Sequence, residues 1–197
     1  MTGNIRNTAL LAENARDGDS KAIDLLVSHY HMDIFKMVYY RTGSKMDAED
    51  ITQDIFIKMV KNLKHLRDTT VFKPWLYRIA VNKINDYYRK KNLLTLFISG
   101  REPDYMAIDS SETSEDPSGN LMKKEFYSSI FEFTKMLSKN EKEIFLLRFI
   151  DQLAIKEIAG TLKKNENTIK TYLYRSIKKF KNNHEFRKLL GEGYHEK

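Results

Sequence analysis

The stretch from Ser138 to Lys181, SKNEKEIFLLRFIDQLAIKEIAGTLKKNENTIKTYLYRSIKKFK, constrains the fold of this chain more than any other. Apolar residues recur there at helical spacing in three successive runs. Ile144, Phe145, Leu147 and Phe149 form the first. Ile155, Ile158, Ala159 and Leu162 follow at i, i+3, i+4 and i+7. Lys163-Lys164-Asn165 is a short polar break. Asn165 is suited to cap the next helix with its side-chain oxygen, and Glu166 suits the positive end of the helix dipole. Ile169, Leu173, Ile177 and Phe180 predict the buried stripe of a third helix. Lys170, Thr171, Tyr174, Arg175 and Lys178 face the other way. Between Lys163 and Lys181 stand seven Lys or Arg and one Glu. A basic helix face is also what a merely solvated helix displays. The helix-turn-helix spacing, with Thr and Tyr among the cations, favours instead a helix laid in the DNA major groove, contacting phosphates and base edges.

Composition narrows the classes. The chain has 197 residues, 41% of them hydrophobic and 31% charged, with a formal net charge of +7. That is enough apolar material for one core or two small ones, and a charge that suits an acidic partner such as nucleic acid. No cysteine is present, which excludes disulfides, thiolate zinc sites and cysteine nucleophiles. No apolar stretch approaches the roughly 20 residues of a membrane span. The first residues, MTGNIRNTALLAENARDGD, lack the unbroken apolar core of a signal peptide, so a cytoplasmic protein is expected. His29, His31, His65, His184 and His195 have no metal-ligand spacing, and no phosphate-binding glycine loop occurs. Neither a metal, a cofactor nor an enzymatic activity is therefore expected.

Charge and turn residues divide the chain. Arg101–Asn120, REPDYMAIDSSETSEDPSGN, carries six acidic residues against one Arg, and two of the three prolines. It has no helical or alternating period and reads as a flexible acidic linker. On either side every periodic run is helical, so the fold class is all-α: two small helical domains, the second a helix-turn-helix. Residues 1–95 form the first domain, 96–120 the linker, 121–183 the second domain and 184–197 a tail. In the first domain LLAENARDGD predicts a helix ending near Gly18, and KAIDLLVSHYHMDIFKMVYYRTG one ending at Gly43. Ile23, Leu26, Val27, Tyr30, Ile34, Met37 and Val38 supply its stripe. DAEDITQDIFIKMVKNLKHL turns Ala48, Ile51, Ile55, Met59 and Leu63 inward, with Asp47 at its start. RDTTVFKPWLYRIAVNKINDYYRKK is a loop leading into a fourth helix, with Pro74 tolerated in its first turn.

Two surfaces in this domain carry chemistry. Phe72, Trp75, Tyr77, Tyr87 and Tyr88 alternate with Lys73, Arg78, Lys83, Arg89, Lys90 and Lys91. Rings that stack on bases and cations that track phosphates are the means of single-strand binding. Trp75, Ile79 and Tyr88 also fit the helix's apolar face and are better read as core, which leaves the cations with Asn82 and Asp86 as surface contacts. Asp47, Glu49, Asp50 and Asp54 cluster at the start of the third helix. The helix dipole alone favours acids there; an acidic, partly apolar protein interface is the competing reading.

These residues together resemble a known family. DAEDITQDIFIKMVKNL is similar to the polymerase-binding helix of bacterial sigma factors. FKPWLYRIAVNKINDYYRKK is similar to the adjoining helix that opens and holds the minus-ten element. The segment from Ser138 to Phe180 resembles the domain that reads the minus-thirty-five element. The two-domain plan with a short linker resembles the extracytoplasmic function group of the sigma-70 family, over about Leu10 to Phe180. The resemblance implies a sigma region 2 domain, then a region 4 helix-turn-helix domain. Asp50, Gln53, Asp54 and Phe56 would then dock on core RNA polymerase. Arg67, Phe72, Lys73, Arg78, Asn82, Lys83, Asp86 and Arg89 would contact the minus-ten strand, the loop from Arg67 to Lys73 capturing a flipped base. Thr168, Lys170, Thr171, Tyr172, Tyr174 and Arg175 would contact minus-thirty-five DNA. The linker would thread the RNA-exit region of the polymerase. An anti-sigma factor is an implied partner. The sequence departs from the family at Lys163-Lys164, where a glycine and an aliphatic residue are usual. The rival readings are a helix-turn-helix regulator acting outside the polymerase, and an adaptor whose basic face binds an acidic protein.

Overall fold

The computed structural model describes residues 2–99, 129–130 and 132–183, and it is helical throughout, with no strand among them. The chain divides into two compact units. The first residues of the expected linker, 96–99, are instead the end of the helix Phe72–Ser99, whose periodicity runs on past residue 95; the rest of the linker and the tail lie outside the described residues.

The N-terminal unit contains α1 (Thr2–Arg16), α2 (Ser20–Thr42), α3 (Lys45–Leu63), a 3₁₀ turn (Thr69–Val71) and α4 (Phe72–Ser99). Its boundaries follow local chemistry. Gly18 ends the α1 region at φ 103° and Gly43 ends α2 at φ 73°, conformations without steric cost only for glycine. The Gly43 N–H closes α2 by donating to the Tyr39 carbonyl at 2.8 Å. Asp19 caps α2 by accepting from the Lys21 N–H at 2.9 Å. Ser44, one residue after the glycine, caps α3 by accepting from the Asp47 N–H at 3.2 Å. Asp47 thus sits inside the first turn, where the dipole favours it, and Ser44 is the cap.

The core of this unit is built from Leu26, Ile34, Met37, Ile55, Met59, Leu63 and Leu76, all at most 2% exposed. Each such side chain contributes about 1.5–3 kcal/mol by leaving water. Most of the predicted stripe of α2 is buried; Ile23 and Val27 lie at its margin, and Ala22, Arg41 and Thr42 are buried instead. Arg41 donates through Nη1 to the Met37 carbonyl at 3.0 Å. On α3, Thr52 and Phe56 are buried while Ile51 is only partly so.

The C-terminal unit contains helical residues at 129–130 and 132–135, then α5 (Lys139–Phe149), α6 (Ile155–Leu162) and α7 (Glu166–Asn182). Phe133 packs edge-on against Phe145 and Phe180, ring centroids 5.2 and 5.0 Å away. Ile144, Leu147, Leu153, Ile158 and Ile169 are fully buried. Phe149, predicted on the inner face of α5, is 46% exposed. It ends the helix, beyond the last turn that packs. Glu141 is buried and joins both ends of the unit. Its Oε2 accepts from the Ser138 N–H at 2.9 Å and from Lys179 Nζ, on the last turn of α7, at 2.7 Å.

Candidate nucleic-acid and polymerase interfaces

α6 and α7 form the predicted helix-turn-helix, and the turn has a specific geometry. Lys163 takes the left-handed conformation, φ 53° and ψ 43°, at the residue where α6 stops. The Lys164 N–H then donates to the Ala159 carbonyl at 3.0 Å. A lysine therefore does what glycine ordinarily does at a helix end. Asn165 restarts the chain as α7 by accepting from the Thr168 N–H at 2.7 Å.

Successive residues of α7 advance by about 100°. Ile169, Leu173 and Ser176 are buried and define the inner face; Ile177 and Phe180 are half-buried at its edges. Lys170, Thr171, Tyr174, Arg175 and Lys178 are exposed on the opposite arc, as the periodicity predicts. Tyr174 is 69% exposed, a large ring with no core to enter. Asn167 is exposed in the middle of the same arc and is not among the contacts that the sequence motif suggests, though the helical angle alone places it there. Thr168 and Tyr172 occupy the flank. The Tyr172 hydroxyl accepts from Asn140 Nδ2 at 3.4 Å, and its ring lies 6.0 Å from the Arg175 guanidinium. The Thr171 hydroxyl donates back to the Asn167 carbonyl at 2.9 Å, which leaves its oxygen free only as an acceptor.

In the N-terminal unit the predicted strand-contact residues separate into three groups. Arg67 is exposed in the loop after α3. In the same loop Asp68 caps the 3₁₀ turn, and hydrogen bonds from Thr70 hold its carboxyl below the usual carboxylate range. Arg78, Asn82, Asp86 and Arg89 recur on α4 at i, i+4, i+8 and i+11 and share one face within an arc of about 80°. Arg89 is paired with Asp86 along that face. Lys83 falls on the flank, where its Nζ meets Asp54 Oδ2 of α3 at 2.7 Å. Lys73 lies over the Tyr77 ring, 6.0 Å from its centroid. Phe72 needs correction: it is 1% exposed, its ring packed at 5.6 Å from Tyr30 and 5.8 Å from Trp75. It anchors the start of α4 in the core and offers no face to a base. The aromatic alternation that suggests stacking is largely architectural. The Tyr87 hydroxyl donates to Asp47 at 2.8 Å, and burial with this bond pushes its pKa up to about 12. The Tyr88 hydroxyl donates to the Arg41 carbonyl, and burial raises its pKa further. Both tyrosines tie α4 to its neighbours.

The predicted polymerase contacts divide. Asp50, Gln53 and Asp54 are exposed on α3 and Phe56 is 7% exposed, but only Gln53 and Phe56 line one groove, while Asp54 faces Lys83 of α4. Phe56 is the floor of an open groove of 730 Å³ between α2 and α3, not a projecting contact. Val27, His31, Met32, Phe35, Ile57 and Val60 complete the apolar lining, with Gln53 on the rim. The His31 ring stacks near-parallel on Phe56, centroids 5.9 Å apart, and on Phe35 at 6.5 Å. Met32, Ile57 and Val60 are 55%, 43% and 43% exposed. Val27 belongs to the predicted stripe of α2, but His31, Met32 and Phe35 fall off it and have no signal in the sequence. Only the α2–α3 crossing gathers them beside α3. Among the described residues no group of acidic or histidine side chains is arranged to hold a metal, and no helix is long and apolar enough to cross a membrane.

Comparison with known proteins agrees with this division. Residues 26–93 match the family model of sigma-70 region 2, and residues 130–180 that of sigma-70, region 4. The chain is 29% identical over 180 residues to the ECF RNA polymerase sigma-E factor of Escherichia coli, covering 85% of this chain and 88% of that protein. It is 27% identical over 172 residues to the ECF RNA polymerase sigma factor BldN of Streptomyces coelicolor. That match covers 85% of this chain but 62% of the longer relative. In fold, the chain is similar to CnrH, solved with the cytosolic domain of CnrY, at a TM-score of 0.66 and 19% identity, over 95% of this chain and 99% of that one. It is also similar to the sigma factor RpoE of Bartonella quintana, solved with the anti-sigma factor NepR, at 0.62 and 17% identity, over 88% and 99%.

Proposed function

The chain belongs to the sigma-70 family, in its extracytoplasmic function group, and on that premise we propose that it binds core RNA polymerase and directs initiation at a specific class of promoters. The observation that carries this reading is the order of two matched regions on one chain, each falling on its own helical unit. A helix-turn-helix alone serves many regulators. Joined to a region 2 unit it serves the polymerase.

Each surface then has a task. The groove between α2 and α3, with Gln53 on its rim, and the exposed Asp50 and Asp54 further round α3 are the docking face for core polymerase. Phe56 contributes as the groove's floor. The α4 face of Arg78, Asn82, Asp86 and Arg89, with Lys83, Lys73 and the exposed Arg67, holds the opened minus-ten strand. The outward arc of α7 enters the minus-thirty-five major groove, where Lys170 and Arg175 are suited to phosphates or guanine edges. Thr168, Thr171, Tyr172 and Tyr174 complete that contact set. The function is not enzymatic: opening the strand draws on binding energy, with cations holding extruded bases that cost a few kcal/mol each to unstack. Residues 1–95, 96–120, 121–183 and 184–197 are the working division into region 2, linker, region 4 and tail. An anti-sigma factor is a further partner, consistent with the complexes in which similar folds were solved. The place of action is the cytoplasm, at the nucleoid when polymerase-bound.

The test is transcription in vitro from genomic promoter fragments with purified core polymerase. Specific initiation that depends on this chain is expected. Absence of any chain-dependent start site, with core binding intact, overturns the reading.

A further inference from the structure

The groups assigned above to different partners touch one another. Asp54 belongs to the polymerase-docking face of α3 and Lys83 to the strand-binding helix α4, yet Lys83 Nζ and Asp54 Oδ2 are 2.7 Å apart. The pair is unequally open. The Asp54 side chain is 59% exposed and the Lys83 side chain 25%. Asp54 is therefore reachable by a partner while Lys83 is laid against α3. Lys83 also stands about 60° beyond the edge of the arc shared by Arg78, Asn82, Asp86 and Arg89. Its long stem is able to swing the ammonium back toward that arc, but not while Asp54 holds it. One α-helical turn along, a second tie joins the same two helices: Tyr87 donates to Asp47 at 2.8 Å. That bond, with the burial of Ala48, Ile55 and Met59 on α3 and of Ala80 and Ile84 on α4, joins the two helices independently of the ion pair.

We propose that the Asp54–Lys83 pair couples polymerase docking to capture of the opened strand. In the free chain Asp54 holds Lys83 out of the strand-binding face. A cationic group of the polymerase that takes Asp54 sets Lys83 free for a phosphate of the minus-ten strand. The proposal rests on the function given above, and it makes one carboxylate the common ligand of two mutually exclusive cations. An exposed ion pair contributes up to about 1 kcal/mol, so the coupling is limited to about two- to fivefold in strand affinity. It adjusts the order of events and does not supply the affinity for promoter DNA.

The experiment measures binding of a fluorescent single-stranded minus-ten oligonucleotide at fixed low salt. It uses the full chain alone and the same chain saturated with core polymerase, for wild type, Asp54→Asn, Lys83→Met and the double variant. Wild-type binding of core and oligonucleotide reports on the proposed function; the variants report on the pair. For Asp54→Asn, strand affinity of the free chain is expected to rise about two- to fivefold, while the saturated holoenzyme is unchanged. For Lys83→Met the expectation is the reverse: no change in the free chain, and a similar loss in the holoenzyme. The double variant should lack the gain. Loss of strand affinity by Lys83→Met equally in both states overturns the proposal, because Lys83 is then never masked. So does an equal gain from Asp54→Asn with and without Lys83, which is a charge effect independent of the pair. Thermal unfolding of each variant, expected within a degree or two of wild type for an exposed pair, keeps a folding defect from passing as either outcome.

Discussion

Lys163 holds a left-handed backbone at the end of α6, φ 53° and ψ 43°, and Gln152 does the same between α5 and α6 at φ 55°. That conformation costs a residue with a Cβ about 1–2 kcal/mol. The backbone takes the conformation that glycine usually supplies. Lys163→Gly should relieve the Cβ clash, offset in part by about 0.4–1 kcal/mol of added freedom in the unfolded chain. A net gain of about 0.5–1 kcal/mol is expected, read as a higher denaturant midpoint with unchanged slope. A lower midpoint would mean that the lysine's contacts outweigh its backbone strain. Glu141 makes a second prediction. Burial works to raise its pKa, but hydrogen bonds from Lys179 and Ser138 outweigh that and set it below its ordinary value of 4.5. A carboxylate depressed in the folded state stabilises above its unfolded pKa and loses that contribution as pH falls through the folded one. Stability of the C-terminal unit should therefore fall as pH drops below about 4.5, and Glu141→Gln should flatten that dependence. If urea titrations of the two proteins run parallel through the acid range, Glu141 is not the linked group.

Helix α7 is the proposed promoter-reading helix, and its two faces are legible in the order of its residues. The inner stripe of Ile169 and Leu173 and the outer arc of Lys170, Tyr174 and Arg175 follow from a period of 3.6 residues. What periodicity misses is the role of Tyr172, which reaches Asn140 on α5 and carries Arg175 near its ring. Arg175→Ala should weaken binding to the preferred promoter by about 1–3 kcal/mol and relax preference at one base pair. Lys178→Ala should weaken binding to all sequences alike and lower the salt slope by about 1. Equal, sequence-independent losses from both would make Arg175 a phosphate ligand. Helix α4 gives the opposite lesson. Its aromatic-basic alternation suggests a stacking surface, but Phe72 is in the core and the Tyr87 and Tyr88 hydroxyls bond to α3 and α2. Alternation in composition does not state which way a ring points; packing against the neighbouring helices does.

Across the chain, the proposed function gives polymerase docking and strand capture to one helical unit and promoter recognition at minus-thirty-five to the other. Within the first unit the proposed docking face is composite. Asp50 and Asp54, with the neutral Gln53 between them, are readable as a polar row on α3, while the groove walls Val27, His31, Met32 and Phe35 come from α2. Asp50→Asn should weaken association with core polymerase, seen as reduced co-elution at limiting concentration. Far-ultraviolet circular dichroism should be unchanged, because Asp50 is exposed and caps nothing. Core binding equal to wild type would reduce Asp50 to an interaction with its own helix dipole.

The helices, their caps at Asp19, Ser44 and Asn165, and the stops at Gly18 and Gly43 are all written locally, because hydrophobic period and backbone stereochemistry act within a few residues. The family follows from the same local patterns taken in order. Three things have no local signature: that Phe72 is an anchor, that Phe56 is a floor beneath His31, and that Asp54 meets Lys83. Each depends on residues 25 or more positions apart being brought within a side chain's length. Which helices cross, and with which faces, is decided by the joint filling of one core, and that is a property of no single segment.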